Sequence, residues 1–364
     1  MALNSSKIGV LICDDSALMR RALRKIIESD PDLYVAGTAR DGEDAVAKAR
    51  ELQPDVVTMD INMPSMDGIT ALQIIVDEGI APVLMVSSLT QEGAVATFEA
   101  LALGAFDYVS KPGGTVSHSM EPVSIELIRK LKAATRKGTM KKLARKGPDM
   151  QRGSTGSRER PRRRRVSASR GPGPGFKAVA IGASTGGPKT IFDVLPFLPA
   201  DLDAAVFMVQ HMPPAFTRSF AERIDANCPL PCVEAEPGTV VEQGRIYLAK
   251  GGFHMTLFKK LTGKVVLRTT TRPKHPFMPS VDVMMKSVLE VFGSDTIGVL
   301  MTGMGDDGAE AMVEIARAGS VTIAESEDSA IVYGMPREAI KRGGARVVVP
   351  SWEIAEEIVK AIDD

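Results

Sequence analysis

Short apolar runs alternate with stretches of helical periodicity along the N-terminal third of the chain. Apolar runs predict five strands, at 8–13, 33–39, 56–59, 83–86 and 106–110. Apolar residues spaced every three or four positions predict four helices. One begins near Leu18, and the others cover 42–52, 68–78 and 94–103. This alternation indicates a doubly wound parallel sheet, whose ligands bind at the carboxyl ends of its strands.

Polar residues follow these strands at the point where each one ends. Asp14 and Asp15 come after the first strand, Asp60 after the third, Ser87 after the fourth and Lys111 after the fifth. Carboxylate oxygens suit Mg²⁺, and a lysine can neutralise a transferred phosphoryl group. Each acid taken alone is most simply a solvated residue. Together with the lysine, the acids predict a phosphorylation site in which Asp60 is the acceptor.

A second alternating region begins at 177–189, which reads K-A-V-A-I-G-A-S-T-G-G-P-K. The apolar run predicts a short buried strand, and the glycines and Pro188 predict a tight turn into a helix. Ser184 would lie at the tip of this turn, in a G-x-S-x-G pattern typical of an exposed nucleophile. The segment is equally compatible with a phosphate-binding loop, or with a serine that merely caps the helix.

Two further strand ends supply possible partners for this serine. A predicted strand at 205–210 is followed by His211, and one at 296–301 runs into a glycine-rich turn with Asp306 and Asp307. A serine, a histidine and an aspartate at neighbouring strand ends predict acyl chemistry, with His211 as the base. The order Ser, His, Asp differs from that of α/β-hydrolases. The acids could instead cap a helix over 309–318.

The chain has only four histidines, which limits the choice of base. His118 falls near a basic segment, whereas His254 and His275 lie on turn-rich segments that can line a pocket. A single histidine is more often structural than catalytic. The assignment of His211 therefore rests on its position at a strand end.

The composition of the chain indicates a basic linker between the two regions. Between 129 and 170 the chain carries 17 Lys or Arg residues against Asp149 and Glu159, and apolar residues are few. Such a segment buries too little surface to offset its ordering entropy, so we predict a disordered tether over 131–175 between domains at 1–130 and 176–364. Its scarcity of aromatic residues argues against specific nucleic-acid binding.

The balance of 45 basic and 45 acidic residues in 364 gives no global attraction to nucleic acid or membrane. The three cysteines show no metal-ligand spacing, and their odd number argues against a disulfide framework. No apolar run is long enough to cross a bilayer. These features predict a cytoplasmic protein without membrane insertion.

Residues 8–130 resemble a response-regulator receiver domain. The match rests on Asp14-Asp15, on the segment Asp60-Ile61-Asn62-Met63-Pro64, on Ser87 and on Lys111-Pro112. The resemblance implies that a chemotaxis histidine kinase phosphorylates Asp60 and that Asp14, Asp15 and Asp60 hold Mg²⁺. It also implies that Ser87, Tyr108 and Lys111 form the switch, with a cis bond between Lys111 and Pro112.

The region from 176 onward is similar to the catalytic domain of chemotaxis methylesterases. The similarity lies in the segments 181–188, 210–212, 279–282, 302–308 and 333–339. It implies a second doubly wound, Rossmann-like α/β/α domain with Ser184 as nucleophile, His211 as base and Asp307 as the acid that orients it. Asp306 departs from the asparagine often seen there.

This resemblance also implies the reaction and its partners. Backbone amides near Thr185 and Met304 would stabilise the oxyanion, and the reaction would need no cofactor. The substrates would be glutamate methyl esters, and glutamines to be deamidated, on methyl-accepting chemoreceptors, with the enzyme a monomer. The alternative is a response regulator whose output domain only binds a ligand, such as a nucleotide at 182–187.

A receiver ahead of an enzyme implies control of one by the other. The simplest arrangement is occlusion, in which the unphosphorylated receiver covers the Ser184 cleft with the face near Tyr108 and the helix over 94–103. Phosphorylation of Asp60 would repack this face and loosen the contact.

Overall fold

The computed structural model describes residues 7–88, 90–112, 120–136, 138–143 and 175–364. Two compact units are present, Met1–Arg145 and Lys146–Asp364. Most of the predicted tether, together with His118, lies outside the described residues. Within the described residues, no helix is long and apolar enough to cross a membrane.

The first unit contains a five-stranded parallel sheet in the order β2-β1-β3-β4-β5. Its strands are Ile8–Cys13 (β1), Leu33–Ala39 (β2), Val56–Asp60 (β3), Val83–Ser87 (β4) and Asp107–Ser110 (β5). The central strands are buried on both faces, which explains their continuous apolar runs. The doubly wound sheet expected from the sequence is confirmed, with β1 and β3 as neighbours.

The helices of this unit begin where the sequence provides a capping side chain. Ser16, Asp41, Asp67 and Thr90 each accept a hydrogen bond from a backbone amide in the first turn of the helix that follows. The helices are Ala17–Glu28 (α1), Gly42–Leu52 (α2), Gly68–Asp77 (α3), Gln91–Ala102 (α4), Met120–Ala134 (α5) and Thr139–Leu143 (α6). The last two extend this unit into the segment predicted as the start of the tether.

The second unit contains a seven-stranded parallel sheet, in the order β14-β13-β12-β6-β7-β9-β8, and a separate hairpin of β10 and β11. Its strands are Lys177–Ala183 (β6), Ala204–Gln210 (β7), Cys232–Glu234 (β8), Ile246–Leu248 (β9), His254–Lys259 (β10), Val265–Thr270 (β11), Thr296–Leu300 (β12), Val321–Glu325 (β13) and Val347–Val349 (β14). The second doubly wound domain is therefore confirmed as well.

Helices bury both faces of this second sheet. They are Gly187–Thr190 (α7), Pro214–Asn227 (α8), Val281–Phe292 (α9), Ala309–Arg317 (α10), Met335–Lys341 (α11) and Ser351–Asp363 (α12). On β6, Ala178 and Ala180 belong to a cluster that includes residues of α9 and α10, while Val179 and Ile181 are equally buried on the other face. The strand order places β6 between β7 and β12, so the ends of these three strands are adjacent.

The antiparallel β10–β11 hairpin was not expected from the sequence. It pairs His254 with Thr270 at one end and Lys259 with Val265 at the other. Met255 and Leu257 of β10 join the same buried cluster as α9. The hairpin thus fixes His254 on a strand rather than on a turn.

Candidate functional site

The three acids predicted for the first unit meet at one sheet edge. Asp14 follows β1 and Asp60 ends β3, its neighbour in the sheet. Oxygen atoms of Asp14, Asp15 and Asp60 all lie within 4.8 Å of one another. Lys111, which follows β5, places its Nζ 2.7 Å from Asp60 Oδ2 and 3.5 Å from Asp14 Oδ2.

This cluster carries more negative than positive charge, and much of it is buried. Asp14 and Asp60 are buried while Asp15 is exposed. Burial raises the pKa of Asp14, although the Ser16 amide and the Lys111 charge oppose this effect. Burial lowers the pKa of Lys111, but its hydrogen bond to Asp60 and the nearby carboxylates outweigh burial and raise it. Within the described residues Asp14 Oδ2 has no hydrogen-bond donor. Such an oxygen-rich, electronegative site suits a divalent cation.

Two of the three residues predicted for the switch, Ser87 and Tyr108, occupy different surroundings. Ser87 Oγ accepts a hydrogen bond from Thr97 Oγ1 of α4 at 2.8 Å and lies 3.3 Å from the Gly93 carbonyl oxygen. Tyr108 is only 4% exposed. Lys130 Nζ lies 5.0 Å from the centroid of the Tyr108 ring and donates to the Tyr108 carbonyl oxygen at 2.6 Å. In this structure the aromatic ring is therefore already buried, and the serine hydroxyl is bonded to α4.

The expected cis bond between Lys111 and Pro112 is wrong for this structure. Among the described residues the cis peptides are Arg272–Pro273 and Met278–Pro279. The Lys111–Pro112 peptide bond is trans, which is the lower-energy form before most prolines. With this trans bond, Lys111 Nζ still donates to Asp60 Oδ2.

Ser184 lies on a tight turn directly after β6. Its amide donates to the Thr302 carbonyl oxygen at 2.9 Å, and its own carbonyl oxygen accepts from the Gly187 amide at 2.8 Å. Gly186 has a φ of +79°, a left-handed conformation that favours glycine. The predicted strand, turn and helix are present, but α7 has only four residues and continues directly as a 3-10 helix over Ile191–Asp193.

His211 follows β7 at the same edge. Ala183 of β6 is paired with Gln210 of β7, so Ser184 and His211 each come directly after a paired position. The His211 amide donates to the Ala183 carbonyl oxygen at 3.1 Å. Within the described residues no hydrogen bond joins Ser184 Oγ to the imidazole, which is common in an enzyme without its substrate.

Gln210 ties the two strand ends together through its side chain. Its Nε2 donates to the Ser184 carbonyl oxygen at 2.8 Å and to the His211 carbonyl oxygen at 3.2 Å. The side chain is buried, and its Oε1 occupies the space that a Cβ on Gly187 would need. This contact explains the glycine, and sequence reasoning did not single out the glutamine side chain.

Asp307 is fixed by four hydrogen bonds. Its Oδ2 lies 2.8 Å from His211 Nε2 and accepts from the Val281 amide at 2.7 Å. Its Oδ1 accepts from Ser280 Oγ at 2.8 Å and from the Asp282 amide at 3.1 Å. Burial alone would raise the pKa of Asp307, but the hydrogen bond and charge of His211 and these amides lower it to about 2.

The ionised state of Asp307 determines the tautomer of His211. A carboxylate can only accept, so Nε2 carries the hydrogen that points at Asp307. Nδ1 is then the acceptor nitrogen in the neutral ring. It is buried and has no hydrogen-bond partner within the described part of the chain.

The second acid of the turn has a different role. Asp306 is exposed and forms an ion pair with Arg342 at 2.5 Å. Helix α10 begins after Gly308, and its first-turn amide of Ala311 donates to Asp282 Oδ1 at 2.7 Å rather than to Asp306 or Asp307, so the alternative that these two acids cap the helix is wrong. Of the two acids, only Asp307 contacts His211.

The other two described histidines lie close to Asp307. His254 is buried, with Nε2 3.0 Å from the Pro273 carbonyl oxygen, and its Nδ1 accepts from the Ser280 amide at 3.1 Å. Burial is the main reason that the pKa of His254 is lowered. His275 Nε2 lies 3.9 Å from Asp307 Oδ1. The imidazole of His254 therefore supports Ser280, which in turn donates to Asp307.

Two backbone amides predicted for the oxyanion lie on the turns that flank Ser184. Thr185 directly follows the serine and is buried, and its carbonyl oxygen accepts from Thr302 Oγ1 at 2.9 Å. A Cβ on Gly303, the residue before Met304, would contact the Ser184 side chain. Within the described residues the amides of Thr185 and Met304 donate to no protein acceptor.

Comparison with known proteins identifies a domain family for each of the two units. Residues 10–117 match the model of the response regulator receiver domain, and residues 179–358 match that of the CheB methylesterase. The protein-glutamate methylesterase/protein-glutamine glutaminase 3 of Syntrophomonas wolfei is 56% identical, over 98% of this chain and 99% of its own length. The protein-glutamate methylesterase/protein-glutamine glutaminase of Pyrococcus horikoshii is 44% identical, over 100% of this chain and 96% of its own length.

The solved structures add a match for the second unit. The CheB methylesterase catalytic domain of Thermotoga maritima has a TM-score of 0.50 and 38% sequence identity, over 51% of this chain and 98% of that domain. Since the similarity to whole relatives extends through both units, the chain belongs to the family of protein-glutamate methylesterases/protein-glutamine glutaminases, with a receiver domain ahead of a CheB methylesterase domain.

Proposed function

We propose that the chain hydrolyses glutamate methyl esters on methyl-accepting chemoreceptors and deamidates glutamines there, under the control of phosphorylation at Asp60. The observation that carries this proposal is the His211–Asp307 pair, held at 2.8 Å beside the strand end of Ser184. Hydrolases of this kind need a serine, a base and an acid that orients the base.

The first half of the reaction transfers the acyl group to Ser184. As Ser184 Oγ attacks the ester carbonyl carbon, His211 Nδ1 takes the hydroxyl proton. The amides of Thr185 and Met304 donate to the oxyanion that develops on the carbonyl oxygen. The tetrahedral intermediate then expels the methoxy group, which leaves as methanol with the proton from His211.

The second half releases the glutamate. His211 Nδ1 takes a proton from water, which attacks the acyl-serine carbonyl, and the serine oxygen leaves with that proton. A glutamine substrate follows the same path with ammonia as the first leaving group. Asp307 stays ionised throughout and holds the imidazolium, because its pKa is far below neutral.

The receiver supplies the regulatory chemistry. Asp60 would accept a phosphoryl group from a chemotaxis histidine kinase, and Asp14, Asp15 and Asp60 would hold Mg²⁺. A bound Mg²⁺ ion neutralises phosphoryl oxygens. Lys111 Nζ, already 2.7 Å from Asp60 Oδ2, would pair with a phosphoryl oxygen afterwards. The new oxygens would compete with the Gly93 carbonyl oxygen as acceptors for the hydroxyl hydrogen of Ser87.

Control of the esterase by the receiver rests on occlusion of the Ser184 cleft. In this proposal the unphosphorylated receiver covers the cleft with α4 and the face near Tyr108. The part of 131–175 that follows α6 acts as the tether that allows separation. A ligand shifts such an equilibrium only through different interactions with its two states, and the rearrangement of Ser87 would supply that difference. Removal of residues 1–170 should therefore raise the basal esterase rate.

The test follows the receptor rather than the enzyme. Receptor membranes bearing glutamate methyl esters are incubated with the full-length chain, and their peptides are then analysed by mass spectrometry. The proposal predicts that methyl-ester peptides become glutamate peptides, and that Ser184→Ala leaves them unchanged while its circular dichroism matches the parent chain. Conversion by Ser184→Ala at the parental rate would refute the proposal.

A further inference from the structure

We propose that Phe277 is a positioning residue for His211, an inference that rests on the proposed function of that histidine. The rings of Phe277 and His211 are stacked, with centroids 4.4 Å apart and planes inclined by 7°. The aromatic ring therefore covers one face of the imidazole. Neither its sequence position nor its apolar character indicated this contact.

The single hydrogen bond from Nε2 to Asp307 does not by itself fix the direction of Nδ1. The ring is also attached to Cβ, but rotation about the Cβ–Cγ bond moves Nδ1 farther than it moves Nε2. The stacked ring of Phe277 adds a plane against which the imidazole must lie. The bond and the plane together fix where Nδ1 points, and displacement of a reacting group by about 1 Å can cost about a hundredfold in rate.

Phe277 is itself held by a segment that is anchored at several points. Its amide donates to His275 Nδ1 at 3.2 Å. The carbonyl oxygen of the next residue, Met278, accepts from the Gly252 amide at 3.0 Å. Two residues further on, the Ser280 amide donates to buried His254. The aromatic ring is thus presented to His211 by a fixed backbone.

The contact between the Phe277 ring and His211 stabilises the transition state. When Nδ1 accepts the serine proton the imidazole becomes a cation, and an aromatic face attracts a cation. This attraction exists only while the proton is on the ring, so it acts on the chemical step rather than on substrate binding. Phe277 is half-buried, and its replacement should leave the fold intact.

The experiment compares three variants of the full-length chain with the parent. Phe277→Leu removes the aromatic face but keeps an apolar side chain, whereas Phe277→Tyr keeps the face. Phe197→Leu is the control, because Phe197 is also a partly exposed phenylalanine, at 37%, and lies in the 3-10 helix Leu195–Phe197 outside the site. Thermal unfolding followed by circular dichroism checks that each variant is folded.

Two rates are measured for each variant. The first is methanol release from methylated receptor membranes, which gives kcat and KM. The second is the labelling of Ser184 by a small fluorophosphonate, which requires an activated serine but no receptor. We expect Phe277→Leu to lower kcat and the labelling rate about tenfold at unchanged KM. Phe277→Tyr and Phe197→Leu should stay near the parental values.

The outcomes separate this inference from the proposed function. Full kcat and labelling in Phe277→Leu would overturn it, and so would a rise in KM alone, which would make Phe277 a substrate contact. If the parent chain releases no methanol, the proposed function fails, while the labelling rates still decide whether Phe277 positions His211.

Discussion

Gln210 Nε2 donates to the carbonyl oxygen of Ser184 at 2.8 Å, so the residue before the proposed base also holds the backbone of the proposed nucleophile. The same nitrogen reaches the His211 carbonyl oxygen at 3.2 Å. One buried amide thus connects the backbone of both reacting groups, and the spacing of serine and histidine depends on it.

Replacement of Gln210 by Met should test this connection. Met has a similar length and fills the same space, but it cannot donate to either carbonyl. We expect kcat to fall about tenfold with KM nearly unchanged, because the distance between Ser184 and His211 is no longer fixed. The loss of stability should be about 1–3 kcal/mol, because the His211 carbonyl oxygen loses its Gln210 donor, whereas the Ser184 carbonyl oxygen still accepts from the Gly187 amide.

Steady-state methanol release and urea unfolding check the two parts of this prediction. Ser287→Ala is a matched control, because Ser287 Oγ likewise forms a buried hydrogen bond with the backbone, in which it accepts from the Leu257 amide at 2.9 Å. It should lose stability but keep its kcat. Equal kcat values for Gln210→Met and the parent would show that the amide has no positioning role.

The three members of the proposed triad should differ in importance. Ser184→Ala and His211→Ala should each lower kcat by roughly 10⁴-fold or more, because the serine and its base act as a unit. Asp307→Asn keeps the serine and the histidine but misdirects the imidazole ring. The kcat of Asp307→Asn should therefore remain roughly tenfold or more above the kcat of the two alanine variants. Single-turnover methanol release measures all three, and substantial activity in His211→Ala would remove it as the base.

The stability of the second unit should depend on pH through Asp307. The pKa of Asp307 is lowered to about 2 from an ordinary value of 3.8, so its stabilising effect is complete above pH 4 and is lost as the pH falls through 2. This shift corresponds to about 2 kcal/mol. Asp307→Asn lacks the effect at every pH.

Tryptophan fluorescence can follow this unit alone. The only tryptophan in the sequence, Trp352, lies in α12 of the second unit. The free energy of urea unfolding should differ most between the parent and Asp307→Asn at pH 5 to 7, and the difference should shrink below pH 4. A constant difference down to pH 2 would contradict the lowered pKa.

Phosphorylation of Asp60 should require both the metal and its ligands. Acetyl phosphate with Mg²⁺ should phosphorylate the full-length chain, whereas an excess of EDTA should prevent it, since the clustered carboxylates would otherwise repel the phosphoryl donor. Asp14→Ala should be equally unreactive. Asp77→Asn, which changes an exposed acid on α3, serves as the control. Phosphate-affinity gels report the product, and labelling of Asp14→Ala at the parental rate would exclude Asp14 as a ligand.

The strand ends that carry the proposed site residues could be predicted from the sequence because each of these strands is a buried apolar run that stops at a polar residue. Asp60, Ser184 and His211 were located in this way, and the parallel order of the strands brought their ends to one edge. The three-residue strands β8, β9 and β14 were not predicted, because three residues are too few to show a periodic pattern.

The surroundings of Asp307 could not be predicted for a different reason. Ser280 and His211 contact it across 27 and 96 residues of sequence, and no local pattern encodes such contacts. The segment with Phe277 is rich in proline and has neither helical nor strand periodicity. Its role depends on how it packs against His211 and His254, which only the folded structure reveals.

The most direct test of the central claim is the rate of methanol release from methylated receptor membranes by the full-length chain, with and without acetyl phosphate and Mg²⁺. We predict a low basal rate that rises with the phosphodonor, a rate in Asp60→Ala that stays low in both conditions, and no release by Ser184→Ala. A parental rate that ignores the phosphodonor, or methanol release that survives the loss of Ser184, would contradict the account.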